Sequence, residues 1–278
     1  MTHVAYAGEP GAFAEDAVLV AFGDIERHSV GSFRAVFEAV AAGDAAAGVV
    51  PIENVIHGTV RENYDLLIEH DLAIAGEVVV PVRLCLAALP GQRVEDIERV
   101  YSHIQALGQA EGFLRERSWQ LLSTYNTAGA GKAIVEAGER GAAAVLSPRA
   151  AALFGLEILA DDIGDLPDNR TRFLVLALPD ATVPPLVDAP ALRRTTIVVA
   201  VRNEPGTLLA VLRVLAEHGL NMRKLESRPS RERAWEYVFW VDLDADDAEH
   251  ATQAALNALV QVTTMVRVLG SYPKASEA

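Results

Sequence analysis

The sequence predicts an α/β protein in two parts: a layered unit with a largely parallel sheet, then a smaller ferredoxin-like βαββαβ unit. From His3 to Leu178 short apolar runs alternate with helical patterns, as strands and covering helices do in a layered fold. The interval from Pro179 to Pro190 holds four prolines and reads as a linker. Beyond it the order of the patterns changes. These signs set a first domain at residues 1–180, a linker at 181–192 and a second domain at 193–272.

The first strand is His3 to Ala7. Gly8-Glu9-Pro10-Gly11 then turns the chain into a helix whose Phe13, Ala17, Val18 and Ala21 recur near helical spacing. Ile25 to Val30 follows as a strand, then a helix through Phe33, Val36, Phe37 and Val40, then a strand at Ala46 to Ile52. Glu53-Asn54 reads as a polar turn, and Thr59 to Glu69 as a helix with Tyr64, Leu67 and Ile68 on one face. Two long apolar strands come next, Leu72 to Val80 and Val82 to Leu89. A strand ending in Val100-Tyr101-Ser102-His103 leads to a helix from Gln105 to Arg117. After a strand near Leu121 to Tyr125, Asn126-Thr127 offers a cap for the helix through Ile134 and Val135. Ala142 to Leu146 and Leu156 to Ile163 complete the first unit. In the second, Thr195 to Arg202, Met222 to Arg228, Trp235 to Val241 and Thr263 to Leu269 read as strands, with helices at Gly206 to His218 and Ala248 to Leu259. The tail after Tyr272 is polar and reads as frayed.

Composition narrows the function. With 278 residues, 51% of them hydrophobic, the chain can build a well-packed core and two domains. A formal net charge of −14 excludes a general nucleic-acid or acidic-membrane surface, which needs clustered Lys and Arg. An anionic ligand must therefore find a local positive pocket. The lone cysteine, Cys85, lies in the apolar stretch Leu84 to Leu89, so it reads as core and suits a reducing compartment. The start, MTHVAYAGEPG, lacks the pattern of a secretory signal, and no stretch has the length of a spanning segment, so a cytoplasmic protein is expected.

Four polar clusters follow an apolar strand or open the next helix: Gly8 to Phe13, Pro51 to Gly58, Tyr101 to Gln105, and Asn126-Thr127. In open α/β sheets ligands bind at that edge, and helix N-termini offer free N–H groups to anions. A further stretch, Asp168-Asn169-Arg170-Thr171-Arg172-Phe173, opens the apolar run Leu174 to Leu178 and sets one hydroxyl between two arginines. Together they describe one cleft of amides, hydroxyls, a histidine and arginine, suited to a small polar anion. Structural readings stand beside this one: Gly8 and Gly11 suit a tight turn, Asn54 its own turn, Thr127 a helix cap, and His103 a loop or interface. Glu53 could act as a general acid or stay structural. The histidines form no HExxH or other compact metal-ligand spacing, so no metal is expected. No Walker-type loop, dinucleotide fingerprint or GxSxG elbow occurs, and Gly129-Ala130-Gly131 lies inside a helical pattern.

At these residues the sequence resembles prephenate dehydratase fused to an ACT regulatory domain. The stretches that carry the resemblance are GEPGAFAEDA from Gly8, PIENVIHGTV from Pro51, YSHIQAL from Tyr101, NTAGAGKAI from Asn126, NRTRFLVL from Asn169 and ESRP from Glu226. It implies a catalytic domain of two lobes like those of a periplasmic binding protein, with crossings near Val78 to Val82 and Leu159 to Asp165 and the active site between them. The resemblance makes Thr171 the donor to the departing hydroxyl, with Arg172 and Asn54 as further catalytic candidates. Ser102, His103, Gln105, Thr127, Gly11 and Phe173 are the implied substrate-binding set. The implied substrate is prephenate, whose ring carboxylate and hydroxyl leave as carbon dioxide and water to give phenylpyruvate. Aromatisation drives this step, so no cofactor is expected. Departures from the family pattern are Ala12 and Ala14 for hydroxyl residues, Val55 for serine and Ile104 for proline.

In the second unit, Gly206-Thr207-Leu208 at a helix start and Glu226-Ser227-Arg228-Pro229 at a strand end match the family's phenylalanine-binding motifs, with Thr207 for the usual alanine. The resemblance thus implies an effector site at these residues and Asn221, feedback by phenylalanine, and a homodimer or homotetramer. PGAFAE and NYDLLIEHDLAIAGEV are particularly similar to plant arogenate dehydratases, so arogenate is the alternative substrate. A catalytically silent amino-acid sensor is the rival from another class.

Overall fold

A computed structural model of the chain describes residues 3–189, 191–229 and 237–275. The first stretch contains β1 (Val4–Ala7), α1 (Phe13–Phe22), β2 (Arg27–Val30), α2 (Phe33–Ala41), β3 (Ala47–Asn54), β4 (Gly58–Thr59), α3 (Arg61–Glu69) and β5 (Ala73–Pro81). Next come β6 (Cys85–Ala88), β7 (Arg99–Ser102), α4 (Ile104–Gln109), α5 (Glu111–Leu114), β8 (Gln120–Ser123), α6 (Thr127–Ala137), β9 (Ala142–Leu146), α7 (Pro148–Leu153) and β10 (Glu157–Ala160). The chain continues with β11 (Arg170–Ala177), β12 (Arg193–Ala200), α8 (Thr207–Glu217), β13 (Met222–Pro229), β14 (Tyr237–Leu243), α9 (His250–Val262) and β15 (Met265–Pro273). Among the described residues no helix is long and apolar enough to cross a membrane.

These strands form three sheets, ordered β2-β1-β3-β11-β5 with β4 on β3, β10-β6-β9-β7-β8, and β13-β14-β12-β15. The first two are mixed, which corrects the expectation of a largely parallel sheet: β11 lies antiparallel to both β3 and β5, and β6 is antiparallel to β9 and β10. A strand buried on both faces reads as one apolar run whichever way it points, so the sequence pattern carried no direction. The chain passes from the first sheet to the second over residues 82–84 and returns over 161–169. The two crossings touch, since Val82 N donates to Asn169 O at 2.8 Å.

Each face of the first sheet has its own core. Thr171, Phe173 and Val175 alternate along β11 with Arg172, Leu174 and Leu176. Phe173 and Val175 pack with Ala17, Val18 and Ala21 of α1, while Leu174 and Leu176 pack with Phe37, Tyr64 and Leu67 of α2 and α3. The second core also takes in Val198, Trp240, Leu269 and Tyr272 of the third sheet, so that sheet is seated directly on the first. Trp240 meets Tyr64 edge to face, ring centroids 4.8 Å apart. The third sheet's other face is covered by α8 and α9 around Val199, Val211, Val241 and Leu259.

Gly270 lets β15 come this close. A Cβ there would stand 2.1 Å from the Ile74 carbonyl oxygen of β5, a contact backbone cannot relieve. Gly270→Ala is expected to destabilise the protein by about 1–3 kcal/mol through overpacking. Thermal unfolding beside the parent checks this, and an unchanged midpoint would count against the contact.

Several local expectations change. The Gln105 to Arg117 helix is two pieces, broken at Ala110 where φ is −116°. Asp165, arriving from the return crossing, accepts from Gly112 N at 3.0 Å just beyond the break. Glu53-Asn54 ends β3 instead of forming a turn, and Gly58–Thr59 pairs back on it. The short helix α7 had no counterpart in the sequence reading; Ser147 caps it and Pro148 begins it. The proline-rich segment is a strap: Val183 and Leu186 join the α1 core, and Leu186 packs on Gly76. Past Tyr272, Lys274 N bonds Leu192 O and Ala275 N bonds Glu77, so the chain is tied down there. Trp235, placed in the third predicted strand of the second unit, lies outside the described residues. Cys85 is fully buried, and burial pushes its thiol up to about 12, which makes it an inert core residue.

Candidate active site

β3 and β11 are neighbours in register, and their ends bring Asn54 opposite Thr171. The Asn54 side chain is held on both ends. Its Oδ1 accepts from the backbone N–H of Ile56 and of His57, each at 3.0 Å. Only an oxygen accepts from two N–H groups, so this fixes the amide's orientation. Its Nδ2 therefore donates, to Thr171 Oγ1 at 2.9 Å, Asn169 Oδ1 at 2.8 Å and Arg170 O at 3.0 Å. Thr171 Oγ1 is an acceptor in that bond and keeps its own proton for another partner. Asn54, Asn169 and Thr171 are each at most 9% exposed, which strengthens these bonds.

The second sheet supplies the facing wall. His103 caps α4, its Nδ1 accepting from Gln105 N at 3.3 Å, while Gln105 itself is exposed. Burial, and then the positive charge of His57 from the β3–β4 connection, hold the His103 imidazole below its ordinary range. As pH falls through the ordinary imidazole range of about 6.5, the unfolded chain takes up this proton before the folded one. Stability is then full above that range and declines below it. His103→Gln is expected to flatten the acid limb of a stability–pH curve, and an unaltered limb would remove His103 as its source.

Ser102 does not reach the cleft: it is fully buried, and its Oγ donates to Val145 O at 2.6 Å, tying β7 to β9. At the start of α6 the cap is Asn126, whose Oδ1 accepts from Gly129 N at 3.1 Å, so Thr127 is the first helical residue and not the cap. Gly8, at φ +112°, abuts Asn126, where a Cβ would lie 2.7 Å from Nδ2. Gly11, at φ +90°, is buried against Ala150 of α7, which makes it a contact between lobes. Phe173 is core, 2% exposed beneath α1.

Arg172 departs furthest from expectation. The pleat of β11 sends it to the face opposite Thr171, where Nε meets Glu77 at 2.7 Å, Nη1 meets Asp242 at 2.6 Å and Nη2 meets the Tyr272 hydroxyl at 3.2 Å. Glu77 also takes Arg194 Nη1 at 2.8 Å, and its side chain is 1% exposed. The arginine next to Thr171 thus belongs to the junction with the third sheet.

Sequence reasoning missed the groups that join the lobes. Glu9 accepts from Tyr125 Oη at 3.0 Å and Lys132 Nζ at 2.9 Å, and the lysine bond holds its carboxyl below the usual range. Arg149 of α7 pairs with Glu15 and Asp16 of α1. Burial pushes Glu15 up, but bonds from Gly11 N, Arg27 and Arg149 outweigh it and hold the group low. Glu15 also serves the backbone at a helix start where Ala12 gives no side-chain cap. Acidic residues opening α1 were the one available sign, and they do not name a partner. Of the other departures, Val55 and Ile104 are 66% and 64% exposed, and Ala14 is buried in the α1 core.

The effector motifs divide. A cavity of about 230 Å³ is lined by Val201, Asn203, Gly206, Thr207, Leu208, Tyr237 and Phe239 among others, so three expected residues meet there and two unforeseen aromatics join them. Ser227 and Pro229 lie opposite Phe239 and Tyr237 in the strand register. Glu226 and Arg228 face the first domain, on Thr59 at 2.9 Å and Asp65 at 3.2 Å. Asn221 sits at the other end of β13, donating to Asp244 at 3.2 Å.

The family model for prephenate dehydratase matches residues 4–181, and the ACT domain model matches residues 195–261. This chain belongs to the prephenate dehydratase family. The family's enzymes are decarboxylating dehydratases, carbon–oxygen lyases of phenylalanine biosynthesis, and the third sheet is the ACT domain. The chain is 40% identical to the bifunctional chorismate mutase/prephenate dehydratase of Aquifex aeolicus, over 98% of this chain and 74% of that protein. It is 41% identical to the chloroplastic arogenate dehydratase/prephenate dehydratase 2 of Arabidopsis thaliana, over 97% and 72%. Among solved structures, the Arthrobacter aurescens prephenate dehydratase in complex with L-Phe superposes with a TM-score of 0.86 at 32% identity, covering 98% of this chain and 90% of that one. GqqA, described as a novel type of quorum-quenching acylase, gives 0.88 at 32%, covering 99% and 98%.

Proposed function

We propose that the chain converts prephenate to phenylpyruvate, carbon dioxide and water, under control by phenylalanine. The observation that carries this reading is the bond from Asn54 Nδ2 to Thr171 Oγ1 at 2.9 Å, which leaves the threonine proton free for a departing hydroxyl. The reaction asks little more of a protein. Electrons from the ring carboxylate's C–C bond enter the ring as carbon dioxide leaves, and the hydroxyl departs with a proton as water. Threonine is a weak acid, so Thr171 serves as an oriented hydrogen-bond donor or as a relay from a stronger acid. Asn54, itself fixed by two backbone N–H groups, holds it in place. The first turn of α6 lies at the lobe junction and offers N–H groups to a substrate carboxylate. Cys85, a single buried thiol, fits a reducing compartment, taken here as the cytoplasm.

Arogenate is the second reading, favoured by the plant relatives and differing by an amine in place of the side-chain ketone. Purified protein given each substrate at neutral pH, with an enzyme-free control, separates the two by rate. Prephenate turnover above the control supports the proposal; a large preference for arogenate replaces it; turnover of neither leaves the sensor.

The effector reading places phenylalanine in the cavity between Gly206-Thr207-Leu208 and Phe239, on the strength of the family motif and the L-Phe complex of the Arthrobacter protein. Exposed Leu209 and Tyr237, which line it, support a second copy there, in a homodimer or homotetramer. Calorimetry without phenylalanine binding would dismiss the first idea, and a monomer by light scattering the second. Inhibition further requires phenylalanine to bind the less active state more tightly.

A further inference from the structure

The register of β3 and β11 sets two pairs side by side. Asn54 lies opposite Thr171, and next to them Glu53 lies opposite Arg172. The first pair is joined at the cleft, while Glu53 and Arg172 reach the ACT domain. There Lys224 Nζ of β13 meets Glu53 Oε1 at 2.9 Å, and Asp242 of β14 meets Arg172 Nη1 at 2.6 Å. Lys224, Arg172 and Asp242 side chains are all no more than 13% exposed. Asp242 is itself braced by Thr196 Oγ1 at 2.7 Å.

We propose that Arg172 and Glu53 are positioning residues for the reaction: they act through Thr171 and Asn54, and Asp242 and Lys224 of the ACT sheet set their places. This rests on the dehydratase reading. Backbone is stiff between neighbours in a strand, so a shift of Arg172 toward or away from Asp242 carries the Thr171 peptide with it. Burial makes the arrangement discrete: an Arg172 that left Asp242 would strand a charge in the interface. Strand β14 carries Tyr237 and Phe239 at the cavity assigned to the effector and is paired with β13, Ser227 lying opposite Phe239, which gives the ACT domain a direct mechanical hold on the hydroxyl. The ACT domain is thereby part of the active site's scaffold as well as its regulator.

Asp242→Asn and Lys224→Met test this in the full chain, because neither residue lies in the cleft and each keeps a side chain of similar size. Each is expected to lower kcat for prephenate about tenfold, since small misplacements of reacting groups are costly. KM should stay within about twofold, because no substrate contact is removed. In a Thr171→Val background Asp242→Asn is expected to cause no further loss, whereas general damage to the fold would add to it. If Arg172 bound substrate instead, Arg172→Gln would raise KM steeply and Asp242→Asn would leave kcat untouched; that pattern overturns the proposal. Spectra of asparagine-labelled protein give a readout that does not need turnover: the Asn54 side-chain amide signal should move in Asp242→Asn. An unmoved Asn54 signal overturns the proposal even if the parent turns over neither substrate, an outcome that by itself defeats only the dehydratase reading.

Discussion

Thr171→Val is expected to lower turnover of prephenate about a hundred- to thousand-fold, about 3 to 4 kcal/mol of transition-state stabilisation, with the fold intact. Valine keeps the shape and branching of threonine, so the 9% exposed site stays filled. What goes is the hydroxyl that Asn54 orients, and Asn54 Nδ2 keeps Asn169 Oδ1 and Arg170 O as acceptors, which limits the cost to stability. Thr171→Ser should recover much of the rate, because the donor returns while only a methyl is lost. The check is kcat of both variants beside unfolding curves of each. Near-parental turnover in Thr171→Val would take the assignment away.

Glu77→Gln is expected to be the most damaging substitution for stability, costing about 3–5 kcal/mol, because removing one partner of a buried ionic cluster leaves the others uncompensated. The carboxylate, 1% exposed, receives Arg172 and Arg194 from two domains and the backbone N–H of Ala275. Glutamine fills the same space yet carries no charge, so the loss is electrostatic. Glu69→Gln serves as the comparison. It breaks a pair with Arg34 whose side chains are 40% and 44% exposed, and water replaces that partner, so the midpoint should hardly move. Denaturant unfolding of both variants decides the matter: equal midpoints would mean that the Glu77 cluster does not hold the domains together.

Neighbouring residues Thr171 and Arg172 show how far reading the sequence reaches. Thr171 and Asn54 were singled out by the resemblance of their motifs to the family, since a hydroxyl between two arginines also suits an ordinary strand entry and Glu53-Asn54 read as a polar turn. Arg172 was assigned to the cleft with them. The alternation of β11 puts neighbouring residues on opposite faces, and nothing in the local sequence says which face meets the cleft when both are covered. Ser102 and Gly11 were misplaced for a related reason: a polar or small residue at a strand end is equally fit to face a ligand or to close a contact. Ser102 bonds Val145 O and Gly11 meets Ala150, partners 43 and 139 positions away along the chain.

By itself the sequence determined the alternation of strands and helices, the ferredoxin-like order of the second unit and the family. These follow from hydrophobic period, turn chemistry and motif spacing, all local properties that a chain carries before it folds. Strand direction, the seating of the ACT sheet on the first domain and the partners of Glu9, Glu77, Arg149 and Arg172 were decided only by the tertiary structure. A buried ion needs a counter-charge within a few ångströms, and which residue supplies it depends on how distant strands are brought together.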